Sequence, residues 1–376
     1  MQETAKTVLA ASTAVLAFLL SSKVVAKIKG NCSECHTVDQ QGGSVGDLRL
    51  PDCVSCHAMG TARRIVTLPD GTLVPQVLHY DTVGDLAGGN FRYILEDVDA
   101  GPMGSRKGHD VFDLFPGVFT LPPGFIHKDK PAYFQQITCA GMNGCHGIRN
   151  QMVVGPGGNL FPRVGMTALQ GAHHANVDGP LYSADTVADS FRFLMGVVGL
   201  EHTYVPDLYQ NVTPTIHNEY YGSRAGAANY RLCSTCHVGS PKPTLDSYIT
   251  APRNSMSGFC ATCHSDFHSK PNSVGLAFLR HPVDFVIPNR GEYAKYTTYE
   301  VTAPVARPTV YEEPSDVVIP GQDMVMCLSC HVAHASPYDG MLRFDFREMI
   351  AGYAKEGATG TGCLACHTSK GRRRKR

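Results

Sequence analysis

Residues 327 to 338 read CLSCHVAHASPY. Cys327 and Cys330 are three apart and His331 follows at once, giving a C-x-x-C-H string, with a further histidine, His334, three places on. Two thiols one short turn apart can each add to a vinyl group of one porphyrin, and the adjacent imidazole then swings under the ring to take the iron axially. This spacing therefore marks the attachment of c-type haem. His334 lies too close in sequence to reach over the same ring, which leaves it free for a neighbouring one.

The string recurs along the chain. It appears as Cys32, Cys35, His36; Cys53, Cys56, His57; Cys233, Cys236, His237; Cys260, Cys263, His264; Cys327, Cys330, His331; and Cys363, Cys366, His367. Cys139 and Cys145, followed by His146, give an enlarged C-x5-C-H, and Gly141 and Gly144 make its loop pliable enough to bring both sulfurs to one porphyrin edge. All 14 cysteines are thus used in seven pairs, each trailed by a histidine. Zinc knuckles or a disulfide framework would use the same cysteines. Zinc ribbons, however, need no histidine behind every second cysteine, and disulfides need none at all. The seventh pair keeps its own alternative, a Cys139 to Cys145 disulfide.

Seven haems change what the rest of the sequence has to do. The chain has 376 residues with 38 glycines and 24 prolines, about one residue in six, and no tryptophan. Such a composition makes loops, and its apolar side chains must wrap something besides one another. Large apolar porphyrins supply that interior. The expected fold is mostly irregular, with short α-helices and few β-hairpins, wrapped around a row of haems. The 33 basic and 33 acidic side chains cancel, which excludes a globally basic nucleic-acid binder. The closing GRRRKR is a local exception that reads either as a solvated tail or as a contact for a membrane surface or an acidic partner.

At the other end, residues 7 to 22 (TVLAASTAVLAFLLSS) form an apolar run that suits the central region of a secretion signal, with Val24 and Ala26 placed for cleavage before Lys27. Lys23, Lys27 and Lys29 follow the run while only Lys6 precedes it, which opposes the usual charge preference for export. Residues 1–26 therefore read as a cleaved signal or as a retained N-terminal anchor, and 27–376 as one heptahaem domain with a least-bad subdivision near residue 150. Either reading puts the protein outside the cytoplasm, in the periplasm or beyond.

Within the domain, residues 64 to 75 (RIVTLPDGTLVP) predict a hairpin turning on Asp70-Gly71. Residues 76 to 138 lack cysteine but carry His79, His109 and His127, so they read as an insert that delivers axial ligands to haems bound elsewhere. Glycine-rich loops are expected at 155 to 158. Val187, Phe191, Leu194, Met195 and Val198 predict a helix beginning near Asp185, and LRFDFREMIAGYAK (342 to 355) predicts a second.

With these residues in view, the chain resembles the doubled C-x-x-C-H family of exported multihaem c-type cytochromes found in metal-respiring and related anaerobes. The stretches that carry the resemblance are GNCSECHT (30–37), GDLAGGNF (84–91), CAGMNGCHG (139–147), GAHH (171–174), HNEYYG (217–222), LRHPVDF (279–285), CLSCHVAHASPYDGMLRFDF (327–346) and the closing CLACHTSKG. The resemblance implies an electron-transfer chain with two histidines on each iron, in a protein that is soluble, membrane-associated or polymerised into filaments.

Seventeen histidines less the seven that follow cysteine pairs leave ten for seven second axial positions. The expected distal ligands are His79, His109, His217, His281, His334 and at least one of His173 and His174, with His268 serving a neighbour as His334 does. Pro282 would hold the backbone at His281 extended. His127 and His202 read as surface histidines. No C-x-x-C-K, Ser/His/Asp arrangement, phosphate loop or dinucleotide fingerprint occurs. The leading expectation is an electron conduit that meets redox partner proteins. The alternatives are a filament subunit, or a reductase with one open iron.

Overall fold

A chain punctuated this often by glycine and proline builds short elements, and the computed structural model shows them. It describes residues 53–67, 69, 73–82, 84–102, 104–118, 122–123, 136–140, 144–146, 152–154, 160–162, 197–198, 213–223, 255–261, 263–268, 281–309, 314–352 and 359–371. Among these the longest helix, Met256–Ala261, has six residues, and the strands form five two-stranded sheets. The expected hairpin is present: β1 (Ile65–Thr67) runs antiparallel to β2 (Leu73–Pro75), with Ile65 opposite Pro75 and Thr67 opposite Leu73. β3 (Thr138–Ala140) and β4 (Gly144–His146) pair in parallel. β5 (Met152–Val154) and β6 (Leu160–Pro162) flank the expected glycine loop at 155–158.

Apolar side chains gather in four small clusters among the described residues, and each has cysteines of the motifs packed against it. Val197, Tyr220, Met256, Phe259, Met324 and Met326 take Cys145 and Cys260. The group around Ile287, Tyr296 and Tyr299 takes Cys366, that around Phe91, Ile94 and Val111 takes Cys139, and Phe344, Met349 and Leu364 take Cys330 and Cys363. The core is thus divided among the motifs.

One expected helix is replaced by turns. In 342–355 the only helical piece among the described residues is a 3-10 turn at Phe346–Met349, closed at its start by the Asp345 carboxylate accepting from the Arg347 N–H, and the chain leaves it extended at Ile350. The reason lies in the apolar spacing: Leu342, Phe344 and Phe346 alternate in twos, and only Phe344 and Met349 are buried, against Leu364. Phe346 and Ile350 are exposed. Residues 185–196 lie outside the described residues, while Val197–Val198, at the end of that expected helix, pair as a strand with Glu219–Tyr220.

Two stretches far apart in sequence are clamped together. His334 N–H donates to Gly88 O at 2.6 Å, Asn90 N–H to Ala335 O at 2.9 Å, and His109 N–H to His334 O at 3.0 Å. Gly89 is needed there: its φ is +89°, and a Cβ would stand 2.1 Å from Ala335 O, so only glycine lets the chains approach. The clamp carries His334 and His109 to the same region.

Candidate functional site

Each described C-x-x-C-H string makes one tight helical turn. Cys53–His57 and Cys363–Cys366 are α-helical turns and Cys327–Ser329 is a 3-10 turn. The histidine N–H returns to the carbonyl of the first cysteine at 3.0 Å for His264, 3.1 Å for His331 and 2.9 Å for His367. One such turn puts residues i and i+3 on the same face, so both thiols of a pair look the same way and the histidine leaves beside them. The enlarged third site reaches a similar result with strands. Thr138 lies opposite Gly144 and Ala140 opposite His146, an offset of six that sets Cys139 level with Cys145.

The imidazoles sort by which nitrogen is held. His57 Nδ1 lies 2.9 Å from Pro75 O, His264 Nδ1 2.8 Å from Pro123 O, and His331 Nδ1 2.6 Å from Gly340 O. Two histidines outside the motifs share the pattern: His109 Nδ1 is 2.8 Å from Ala333 O and His281 Nδ1 3.0 Å from Pro282 O. A carbonyl only accepts, so Nδ1 carries the proton and Nε2 is left with its lone pair, the tautomer a metal-bound imidazole needs. Burial lowers the pKa of all five below the ordinary histidine value, in the case of His264 to about 4, which keeps the rings neutral. Neutral imidazole is the ligating form. These residues fit a c-type haem.

Three pairs of histidine rings lie at a common separation, two tilted and one edge-on. Ring centres of His109 and His264 are 6.1 Å apart, those of His146 and His334 6.2 Å, and those of His281 and His367 6.4 Å. Two metal–imidazole bonds of about 2 Å, plus roughly 1.1 Å from nitrogen to ring centre on each side, sum to about 6.2 Å. Each of the three pairs joins a motif histidine to one outside any motif.

His79, His217 and His268 sit differently. All three are fully buried, and their Nε2 atoms look at carboxylates: Asp85 Oδ1 at 3.9 Å, Glu219 Oε1 at 3.0 Å and Asp284 Oδ2 at 2.7 Å. The Asp81 N–H donates to His79 Nδ1 at 3.2 Å, which leaves the proton on Nε2. Iron coordination through Nε2 would require His217 and His268 to leave their carboxylates, whereas His79 Nε2 is buried without a hydrogen-bond partner. Sequence reasoning passed over the carboxylates, though Glu219 and Asp284 stand inside the quoted stretches HNEYYG and LRHPVDF. Only Glu219, two residues after His217, gave a local signal of its pairing, because Asp284 meets His268 across a loop. Cys32, Cys35, His36, Cys233, Cys236, His237, His173 and His174 lie outside the described residues.

Thiols of successive motifs touch. Cys139 hydrogen-bonds with Cys53, Cys260 hydrogen-bonds with Cys327 and feels the charge of Cys145, and Cys330 feels Cys363 and Cys366. Read along these contacts, the second, third, fifth, sixth and seventh sites lie in space in the order of the sequence.

This arrangement, with repeated helical turns bearing paired thiols and neutral imidazoles held by carbonyls, defines a multihaem c-type cytochrome. Residues 320–372 match the model of the doubled CXXCH motif. It is similar to the C-type cytochrome OmcS of Geobacter sulfurreducens, 34% identical over 115 residues, which is 24% of this chain and 26% of that protein. The chain thus matches about a quarter of the length of this curated relative. Two solved structures are also similar. The outer membrane cytochrome S filament from the same organism has a TM-score of 0.39 and 16% identity over 93% of this chain and 95% of that one. The OmcS nanowires solved by cryo-EM have a TM-score of 0.36 and 19% identity over 76% and 75%.

Gly88 offers a local test. A Cβ there would stand 2.7 Å from His334 Nδ1 and 2.8 Å from its Cε1. Gly88→Ala is therefore expected to push the ring out of line with His146 and convert about one haem's worth of absorption from low to high spin. An unchanged ferric spectrum would count against His334 as a ligand.

Proposed function

We propose that the protein is an exported electron-transfer cytochrome holding seven haems, six on the C-x-x-C-H pairs and one on Cys139, Cys145 and His146, each iron between two histidines. The observation that carries this reading is the set of three histidine pairs spaced for one iron between them. On this reading His109 completes the site of His264, His334 that of His146, and His281 that of His367. The other four second positions fall to His79, His173, His174, His217 and His268, of which His217 and His268 would exchange a carboxylate for iron. Haem supplies reversible one-electron exchange at iron. The chain's own part is to present two neutral imidazoles, hold their Nδ1 protons on carbonyls and set neighbouring sites thiol to thiol, so that little rearrangement accompanies a change of charge.

The apolar run at 7–22 and the sequence likeness to a C-type cytochrome support export, and 7–22 would also serve as a membrane association. Redox proteins are the expected partners. A polymer of this chain is the second reading. It is favoured by the ten histidines that do not follow a cysteine pair, more than the seven second positions need, since one copy could lend a ligand to the next.

Intact mass and carbon monoxide together test the proposal. Seven covalent haems and no carbon monoxide shift in the reduced native protein are expected. Six haems with two oxidised thiols would sink the seventh site, and ready carbon monoxide binding would favour a reductase with an open iron.

A further inference from the structure

Arg343 lies twelve residues after His331 and folds back on the sixth motif. Its backbone N–H donates to Cys330 O at 2.8 Å, and its side-chain Nε donates to Leu328 O at 2.7 Å. The guanidinium is thereby pinned by two residues of the attachment turn itself. Its Nη2 atom is buried with no hydrogen-bond partner, and none of the ion pairs among the described residues includes Arg343. It lines a cavity of about 280 Å³ together with Asp85, Tyr93, Thr302, Val332, Ser336 and Tyr338, and the Asp85 carboxylate there is held by Tyr93 OH at 2.8 Å and Asn90 Nδ2 at 3.1 Å. A guanidinium stays charged in any protein environment, and a charge half out of water without a counter-ion acts strongly on whatever is bound beside it.

The neighbouring seventh site has a carboxylate against its histidine, with the exposed Lys370 ammonium 3.8 Å from that carboxylate. Glu292 Oε1 lies 3.4 Å from His367 Nδ1, and the same carboxylate accepts from Ser369 N–H at 3.2 Å and from the Ser369 hydroxyl. A carboxylate on the far nitrogen of a ligating imidazole makes that ligand more basic and favours the more positive metal. The other anion near the sixth motif, Asp284, is spread over Ser223 N–H, the Ser255 hydroxyl and His268.

We propose that Arg343 raises the reduction potential of the haem on Cys327 and Cys330 above that of its neighbour on Cys363 and Cys366, where Glu292 lowers it, so that an electron passes from the seventh site to the sixth and settles there. The fixed cation disfavours ferric iron at one site and the carboxylate favours it at the other. The direction of transfer is then written in two side chains, neither of which follows from the C-x-x-C-H string.

The inference rests on the haem reading above, and the experiment separates the two. The holoprotein, Arg343→Gln and Glu292→Gln are titrated spectroelectrochemically after intact mass has counted their haems. In Arg343→Gln one component of the curve is expected to move downward by at least a tenfold change in its oxidised-to-reduced ratio at fixed potential, about 59 mV for one electron. In Glu292→Gln a lower component should move upward. Missing haem mass at these motifs in the unmutated protein would defeat the haem reading. A full haem count with an Arg343→Gln curve superimposed on that of the parent would overturn the inference alone. Should Arg343→Gln yield no holoprotein, Glu292→Gln decides: an unmoved curve rejects the offset between the two sites.

Discussion

Arg307→Ala is expected to lower the stability of the holoprotein by about 3–5 kcal/mol. Arg307 is fully buried between two buried carboxylates, its Nε donating to Glu219 Oε2 at 2.9 Å and its Nη1 to Asp323 Oδ2, while Nη1 and Nη2 also donate to Val317 O and Ser315 O at 2.8 Å. It lies over the Tyr299 ring at 5.8 Å, on which His217 stacks. Alanine removes the cation and leaves Glu219 and Asp323 buried against each other. Burial alone would push the Glu219 carboxyl up, but His217 and Arg307 outweigh it and hold its pKa below the usual carboxylate value. Its contribution is accordingly complete above the ordinary carboxylate pKa and is lost as pH falls through the depressed one. Asp323 goes the other way, pushed up by burial despite Arg307. The triple change Arg307→Met, Glu219→Gln, Asp323→Asn removes all three charges together and should cost less than Arg307→Ala. Denaturant midpoints measure both, and a single-variant loss under about 1 kcal/mol would place this network among weak surface pairs.

A chain made without haem attachment is expected to show no cooperative unfolding transition. Among the described residues the longest helix has six residues, the sheets are two-stranded, and the apolar side chains fall into four small clusters with motif cysteines packed against them. Two-stranded ribbons and single helical turns are marginal in water, and clusters this small do not offset the ordering of so many loop residues. Circular dichroism during denaturant titration of protein expressed without the attachment machinery reads this directly. A sigmoidal transition like that of the holoprotein would contradict it.

What the sequence made legible was what has a fixed spacing. The thiol pairs, the histidines beside them, the hairpin at 64–75 and the shortage of long elements all follow from local chemistry, and the described structure carries each of them. Pairing of distant side chains was not legible. That His109 meets His264 and His281 meets His367 depends on chain paths through glycine-rich turns, which no periodicity encodes. The helix expected over 342–355 shows the limit from the other side. Good helix formers were present, but alternation in twos and burial of only Phe344 and Met349 gave the stretch nothing to pack a helical face against. His217 and His268 show that a histidine in a quoted stretch can answer to a carboxylate two residues or one loop away.

The thiol contacts between motifs bear on how the molecule is made. Cys53 beside Cys139 and Cys260 beside Cys327 are partners from different sites, brought together by the finished fold. In an oxidising compartment, a chain that collapsed before its porphyrins were joined would present these mismatched sulfurs to one another, and thiol–disulfide chemistry would tie them across sites. Once the sulfurs carry thioether bonds the same proximity is harmless. Biogenesis is therefore a race between ligation and collapse. The lack of cooperative folding expected of the haem-free chain tilts that race toward ligation, and because the second, third, fifth, sixth and seventh sites lie in space in the order of the sequence, they can be loaded and closed one motif at a time.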